Sequence, residues 1–229
     1  MQLNVREVAK LLSVSEKTIY RWIRDGHIPA YRFQDQYRFS RTELLEWATA
    51  RRIGIRPDII HDNAEESASP LRLADALLEG GIHYRICGRT REEVLRAAVD
   101  VMKFPEGADR ATVLSLFLAR EELASTAIGD GIAVPHVRSP IVLQVERPLV
   151  YLCLLEAPVG FGALDGLPVH ALFFLVCPTV RSHLRLLSRL AFCLRDPAFR
   201  EAVRRPDVRE EILAQMRRVE DTLAEAPAS

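Results

Sequence analysis

Apolar positions recur at helical spacing from the start of the chain. Asn4-Val5-Arg6-Glu7 has the form of a capping box, a side-chain oxygen followed three residues later by a glutamate. Val5, Val8, Ala9, Leu11 and Leu12 then share one helical face, which predicts a first helix ending at Leu12. Ser13-Val14-Ser15 interrupts the pattern. Ser15 can cap a second helix running to about Arg24, and Gly26 is a natural stop for it. Residues 30–39 switch to alternation, with Tyr31 and Phe33, then Tyr37 and Phe39, around Gln34-Asp35-Gln36; this reads as a hairpin. Ser40-Arg41-Thr42-Glu43 repeats the capping box and opens a helix to about Ala50. Residues 1–53 therefore form one small unit.

The pattern changes at residues 54–70, where Pro57, Pro70, Ser67, Ser69 and acidic Asp62, Glu65 and Glu66 predict a linker. Beyond it, helical and strand patterns alternate. Helices are expected near 71–79, 90–103, 109–121, 180–195 and 207–224, and strands at 82–87, 131–134, 147–155 and 168–176. The run Ala171-Leu172-Phe173-Phe174-Leu175-Val176 is apolar on both faces, as a central strand covered by helices must be. The stretch 71–224 is long enough to bury an α/β core of its own. Residues 225–229 are expected to be a disordered tail.

Charge divides the same way. The formal net charge is +0, from 31 basic and 31 acidic residues. Residues 1–60 hold 11 and 7 of these, leaving 20 and 24 for the rest. A polyanionic partner is thus compatible with the first unit only. Cys87, Cys153, Cys177 and Cys193 are scattered without CxxC spacing, so neither a zinc knuckle nor a redox motif is expected. Free thiols fit a reducing compartment. No apolar signal core opens the chain and no run approaches membrane-spanning length, so a cytoplasmic protein without membrane insertion is expected.

The first unit has the parts of a DNA reader. Ile19 and Ile23 lie four apart and should face inward, leaving Lys17, Thr18 and Arg21, with Arg24 beyond them, to meet bases or phosphates of double-stranded DNA. Tyr31, Arg32 and Arg38 of the hairpin would reach the flanking backbone. Trp22 is read as half-buried and His27 as a turn residue. The stretch VAKLLSVS-KTIYRWI, the D-G-H-I-P-A-Y turn and the RF-R-ELLEW close resemble the winged helix-turn-helix of the excisionase and MerR-like family over residues 2–50. Such modules serve in DNA binding and sometimes in protein contacts.

In the second unit, AREELASTAIGDGIAVPHVRSP holds the candidate chemistry. Gly129 and Gly131 permit unusual torsions or close backbone approach. Ile132-Ala133-Val134 reads as a short strand, Pro135 fixes its exit, and His136 follows. A neutral imidazole is nucleophilic near pH 7 and is a credible phosphoryl acceptor, although a lone histidine is more often structural.

The stretch 71–224 resembles enzyme IIA of the phosphoenolpyruvate-dependent phosphotransferase system, of the fructose/mannitol/nitrogen-regulatory type. The resemblance rests on R-E-E/ST-IG-GIA-V-PH at 120–136, VHALFFLVCP at 169–178 and SHLRLLSRLAFCL at 182–194. It implies a mixed sheet flanked by helices, and His136 as acceptor of a phosphoryl group from a phosphohistidine carrier protein. By motif, His183 would be the second active-site histidine and Arg120 the site's arginine. A helix-capping histidine and an exposed helix-end arginine are the plainer readings of those two. A neutral His183 ring near a helix start can donate to a phosphoryl oxygen, and Arg120 can neutralise charge on it. The chain departs from the family at Val137, where glycine is usual. His170 is read as structural. His170, Cys177 and His183 lack metal spacing, and no metal or other cofactor is expected. Leu116, Phe117 and Ala119 are candidates for either a docking patch or the core.

Joined together, the two units imply a phosphorylation-responsive transcriptional regulator. The alternatives are a sugar-transport phosphotransferase subunit and a non-phosphorylated scaffold that binds a protein partner. A homodimer is possible on paired half-sites, although no heptads are visible to drive it.

Overall fold

A computed structural model of the chain describes residues 2–33, 36–51, 53, 71–104, 109–137, 145–205 and 209–225. The expected linker at 54–70 and residues 226–229 of the expected 225–229 tail lie outside the described residues, and Glu225 ends a helix rather than opening the tail.

The first module runs β1 (Gln2–Leu3), α1 (Val5–Leu11), α2 (Glu16–Arg24), β2 (Tyr31–Phe33), β3 (Gln36–Ser40) and α3 (Arg41–Ala50). The capping box at Asn4 forms with both bonds present, and the Ser15 side chain accepts from the Thr18 N–H at the start of α2. Ser13 takes a positive φ of 55° in the turn between α1 and α2, and Gly26 one of 67° after α2. Three antiparallel strands in the order β1-β3-β2 make the wing. Val8, Leu11, Ile19, Phe39, Leu44 and Leu45 close the core beneath it.

The second module runs α4 (Leu73–Gly80), β4 (Gly81–Ile86), α5 (Arg91–Val101), α6 (Arg110–Leu123), β5 (Ala127–Gly129), β6 (Ile132–Ala133), β7 (Leu149–Val159), β8 (Val169–Val176), α7 (Val180–Cys193), α8 (Pro197–Arg204) and α9 (Arg209–Glu225). Its five strands are ordered β4-β7-β8-β6-β5. β4 with β7 and β6 with β8 are parallel; β7 with β8 and β5 with β6 are antiparallel. The sheet is therefore mixed. Every residue of β8 except His170 is buried. From Ala171 its side chains alternate between two cores: Ala171, Phe173 and Leu175 face α7, α8 and α9, while Leu172, Phe174 and Val176 face α5 and α6.

Two elements differ from the sequence reading. β5 is a separate strand, too short for any periodicity to show. α8 follows α7 after a break, with the Asp196 side chain accepting from the Phe199 N–H and Pro197 at the first helical position.

The modules touch. α3 packs against α7 and β5. Leu44, Leu45 and Ala48 belong to the same continuous apolar cluster as Leu186, Leu187 and Leu190.

Candidate functional site

β6 carries the chain toward the site. Ile132 and Ala133 pair in parallel with Ala171 and Leu172 of β8, and His136 bridges Leu175 in the same register. Pro135 lies between them and has no N–H to give the ladder, so the strand breaks and resumes at the histidine. His136 thus stands at the carboxyl end of a strand beside the carboxyl end of its parallel neighbour, where open α/β sheets bind their ligands.

The imidazole is held tightly. It is buried, and its Nδ1 lies 2.8 Å from the Val134 carbonyl oxygen. A carbonyl only accepts, so Nδ1 carries the proton and the Nε2 lone pair is the nucleophilic one. His183 arrives from the other side of the strand ends. The Thr179 side chain accepts from the Ser182 N–H while the Ser182 hydroxyl answers the Thr179 N–H, which starts α7 firmly. His183 sits on the first turn of that helix, buried, with its ring centroid 5.3 Å from that of His136. Two imidazoles at that distance leave a small group on Nε2 within reach of the second ring.

Arg120 lies at the end of α6, half-buried, and its Nη1 donates to the Ala124 carbonyl at 2.9 Å. The next residue, Glu121, is buried and receives the Thr126 N–H and hydroxyl. The sequence reading passed over Glu121. Its signal was present, because Val113, Leu114, Phe117 and Glu121 share the buried face of α6 and a glutamate there needs a partner. Val137 is buried among the residues packed by α5 and α6. Phe117 is core, set edge-on to Phe174, whereas Ala119 is exposed.

Gly131, in the turn before β6, has φ +73°, and a Cβ there would stand 2.3 Å from His170 Nδ1. His170 is therefore a packing residue of that turn, and burial lowers its pKa below 6.5. Among the described residues no group of three or more His, Cys, Asp or Glu is placed to hold a metal ion. Cys153 and Cys177 are buried, their thiol pKa values pushed up to about 12 by desolvation, and they are poor nucleophiles.

On the first module, Lys17, Arg21 and Arg24 are exposed along α2, with Tyr20 between them. Thr18 is half-buried, its hydroxyl 2.9 Å from that of Ser15, so it completes the helix start. Arg24 pairs with Asp25 at 3.1 Å. Arg32 is exposed on β2, and Arg38 on β3 donates to Gln36 at 2.8 Å. Trp22 is half-buried and packs edge-on against Trp47. The His27 carbonyl accepts from Trp47 and Arg51, which makes His27 a turn anchor.

A helix-turn-helix with a wing, joined to a three-layer α/β domain with paired histidines at its strand ends, defines a two-module histidine-site protein. The family of the larger module follows directly: residues 78–219 match the model of "Phosphoenolpyruvate-dependent sugar phosphotransferase system, EIIA 2", and the chain belongs to that family. Residues 3–52 match a helix-turn-helix domain. A nitrogen regulatory protein of Pseudomonas aeruginosa is 35% identical over 138 residues, covering 58% of this chain and 87% of that one. A fructose-specific EIIA component of Haloferax volcanii is 31% identical over 138 residues, covering 58% and 80%. The crystal structure of the nitrogen regulatory protein IIA-Ntr from Neisseria meningitidis superposes with a TM-score of 0.52 at 29% identity, covering 59% of this chain and 91% of that chain. Among the described residues no helix is long and apolar enough to cross a membrane.

Proposed function

We propose that the chain is a phosphorylation-responsive DNA-binding regulator of transcription, and that His136 accepts a phosphoryl group from a phosphohistidine carrier protein. The observation that supports this is the Nδ1–H bond to Val134, which leaves the lone pair on Nε2 of a ring whose centroid lies 5.3 Å from that of His183. In the step, Nε2 attacks phosphorus, the new N–P bond forms, and the donor's N–P bond breaks with its electron pair returning to the donor ring. Nδ1 keeps its proton throughout. His183, on the first turn of α7, donates to a phosphoryl oxygen. Arg120 neutralises charge on the transferring group. On the other module, Lys17, Thr18, Arg21 and Arg24 face the groove of double-stranded DNA, and Arg32 and Arg38 reach its backbone. Phosphorylation adds roughly two negative charges beneath α7, the helix on which α3 rests, and so changes DNA affinity.

The test is labelling with phosphoenolpyruvate, the first enzyme of the system and a phosphocarrier protein. Acid-labile label is expected on wild type and on His183→Ala, slowed by about 10²-fold in the latter, and none on His136→Ala. A gel shift of the phosphorylated and unphosphorylated chain then reads the coupling. Wild type without label, folded and given its own partners, removes the phosphotransfer reading. A fructose-specific relative favours a second reading, a carrier that hands its group to a transport subunit. Transfer of label onward with no change in DNA binding would select it.

A further inference from the structure

We infer that Glu121 is the positioning residue for the His136 imidazole, acting through three successive hydrogen-bonded links; this rests on His136 being the acceptor. The Glu121 carboxylate is buried at the end of α6. Both its oxygens accept the Thr126 N–H, at 3.2 and 3.1 Å, and one also accepts the Thr126 hydroxyl at 2.5 Å. The Thr126 carbonyl accepts the Val134 N–H at 3.0 Å, one residue beyond the Ala127–Ala133 pair of the β5–β6 hairpin. The Val134 carbonyl accepts the His136 Nδ1–H at 2.8 Å. Each residue in the series is gripped on both sides, so the carboxylate fixes where the Val134 oxygen stands and hence which imidazole nitrogen keeps the proton.

The links pass through Cα atoms and not through a single conjugated amide. The N–H of Val134 belongs to the peptide before it and the carbonyl to the peptide after it. The device is therefore geometric, and charge is secondary to it. The carbonyl at its end belongs to the bond before Pro135, a position with no N–H of its own to pair in the sheet. Arg91 Nη1, 3.8 Å away on a half-exposed side chain, offers Glu121 a distant countercharge. The buried carboxylate would be costly without the Thr126 donors it receives. Glu121 also closes the 122–125 turn, over which Arg120 reaches the Ala124 carbonyl. One carboxylate thus holds both the nucleophile and the neighbouring arginine.

A geometric role predicts rescue by the amide. In Glu121→Gln the amide oxygen accepts the Thr126 N–H and the amide N–H meets the hydroxyl, so transfer stays close to wild type. Glu121→Ala lowers the single-turnover transfer rate by about tenfold or more, in the range for removing the partner behind a working histidine. Ring 15N shifts of His136, assigned by difference from His136→Ala and recorded on the full chain without any phosphoryl donor, show the tautomer. Wild type and Glu121→Gln are expected to be protonated at Nδ1, and Glu121→Ala to gain the Nε2–H form. If Glu121→Ala does not fold, Thr126→Val, which removes only the hydroxyl link, must show the same change at smaller size. Wild-type ring shifts in folded Glu121→Ala, or in Thr126→Val where that variant stands in, overturn the inference. Absence of label on wild type would instead count against the phosphotransfer reading, and the ring shifts would still decide the role of Glu121.

Discussion

At the residue scale, the turn Gly129-Asp130-Gly131 sets how β6 enters the site. Its glycine at 131 combines a positive φ with a neighbour 2.3 Å from any added Cβ, whereas Gly26 has a similar φ of +67° and nothing within 4 Å. Gly131→Ala is therefore expected to cost about 2–4 kcal/mol, the left-handed penalty plus overpacking. Gly26→Ala is expected to cost about 1 kcal/mol, the left-handed penalty alone. Urea midpoints of the two variants measure the difference. His170, against Gly131, and His83, stacked on Tyr151, both have pKa values lowered, with desolvation the main cause. A folded pKa below 6.5 means that the unfolded chain binds more protons in the window beneath 6.5. Stability is complete above that value and declines as pH falls toward the folded pKa. Urea midpoints are expected to drop between pH 7.5 and 5.5, and His170→Gln should flatten part of that slope.

At the scale of elements, α4 shows how a helix start is completed from far along the chain. Arg72 caps it with no side-chain bond. Glu220 of α9 supplies the acceptors, to the Leu73 N–H at 2.7 Å and the Ala74 N–H at 3.0 Å, while Arg189 of α7 pairs with it at 2.9 Å. Glu220→Ala removes a cap and strands Arg189 together, and a loss of about 3 kcal/mol is expected in thermal or urea unfolding. Helix patterns were legible where burial follows a period, as in α1 and α2, and β8 was legible as a continuous apolar run. The caps at Asn4 and Ser15 were legible from spacing alone and are present as bonds. What escaped depended on partners distant in sequence. Glu121 and Glu220 are charged residues at buried helical phases, and only the packed chain shows which N–H groups they serve. α8 escaped for the opposite reason: Asp196-Pro197 was a readable start, yet no element was expected between the helix ending at 195 and the one opening at 207. The pairing of His136 with His183 followed from motif, and periodicity would not have found it.

At the scale of the molecule, the chain is two modules sharing one apolar seam. α3 closes the core of the first and lies on α7 and β5 of the second, the elements next to both histidines. A cavity of about 240 Å³ opens beside the seam, floored by Ile53, Ile128, Ile132 and Leu194, with the Asp130–Arg200 pair at its rim. Lys17, Arg21 and Arg24 of α2 are exposed, and the proposed DNA contact is tested through them. Binding should fall steeply with salt, and Arg21→Ala should reduce the slope of log affinity against log salt by about 1. A slope unchanged in Arg21→Ala would place that side chain away from the phosphates and bases.

The reach of Glu220 to Leu73 has a consequence for manufacture on the ribosome. The first module draws its strands and helices from neighbouring stretches and can fold as soon as it has emerged. The second has its opening helix secured by α9, more than 100 residues later in synthesis. For most of translation the nascent chain would hold a finished helix-turn-helix module attached to an unfinished second domain. Messages cut short before α9 would yield the helix-turn-helix module without a completed second domain.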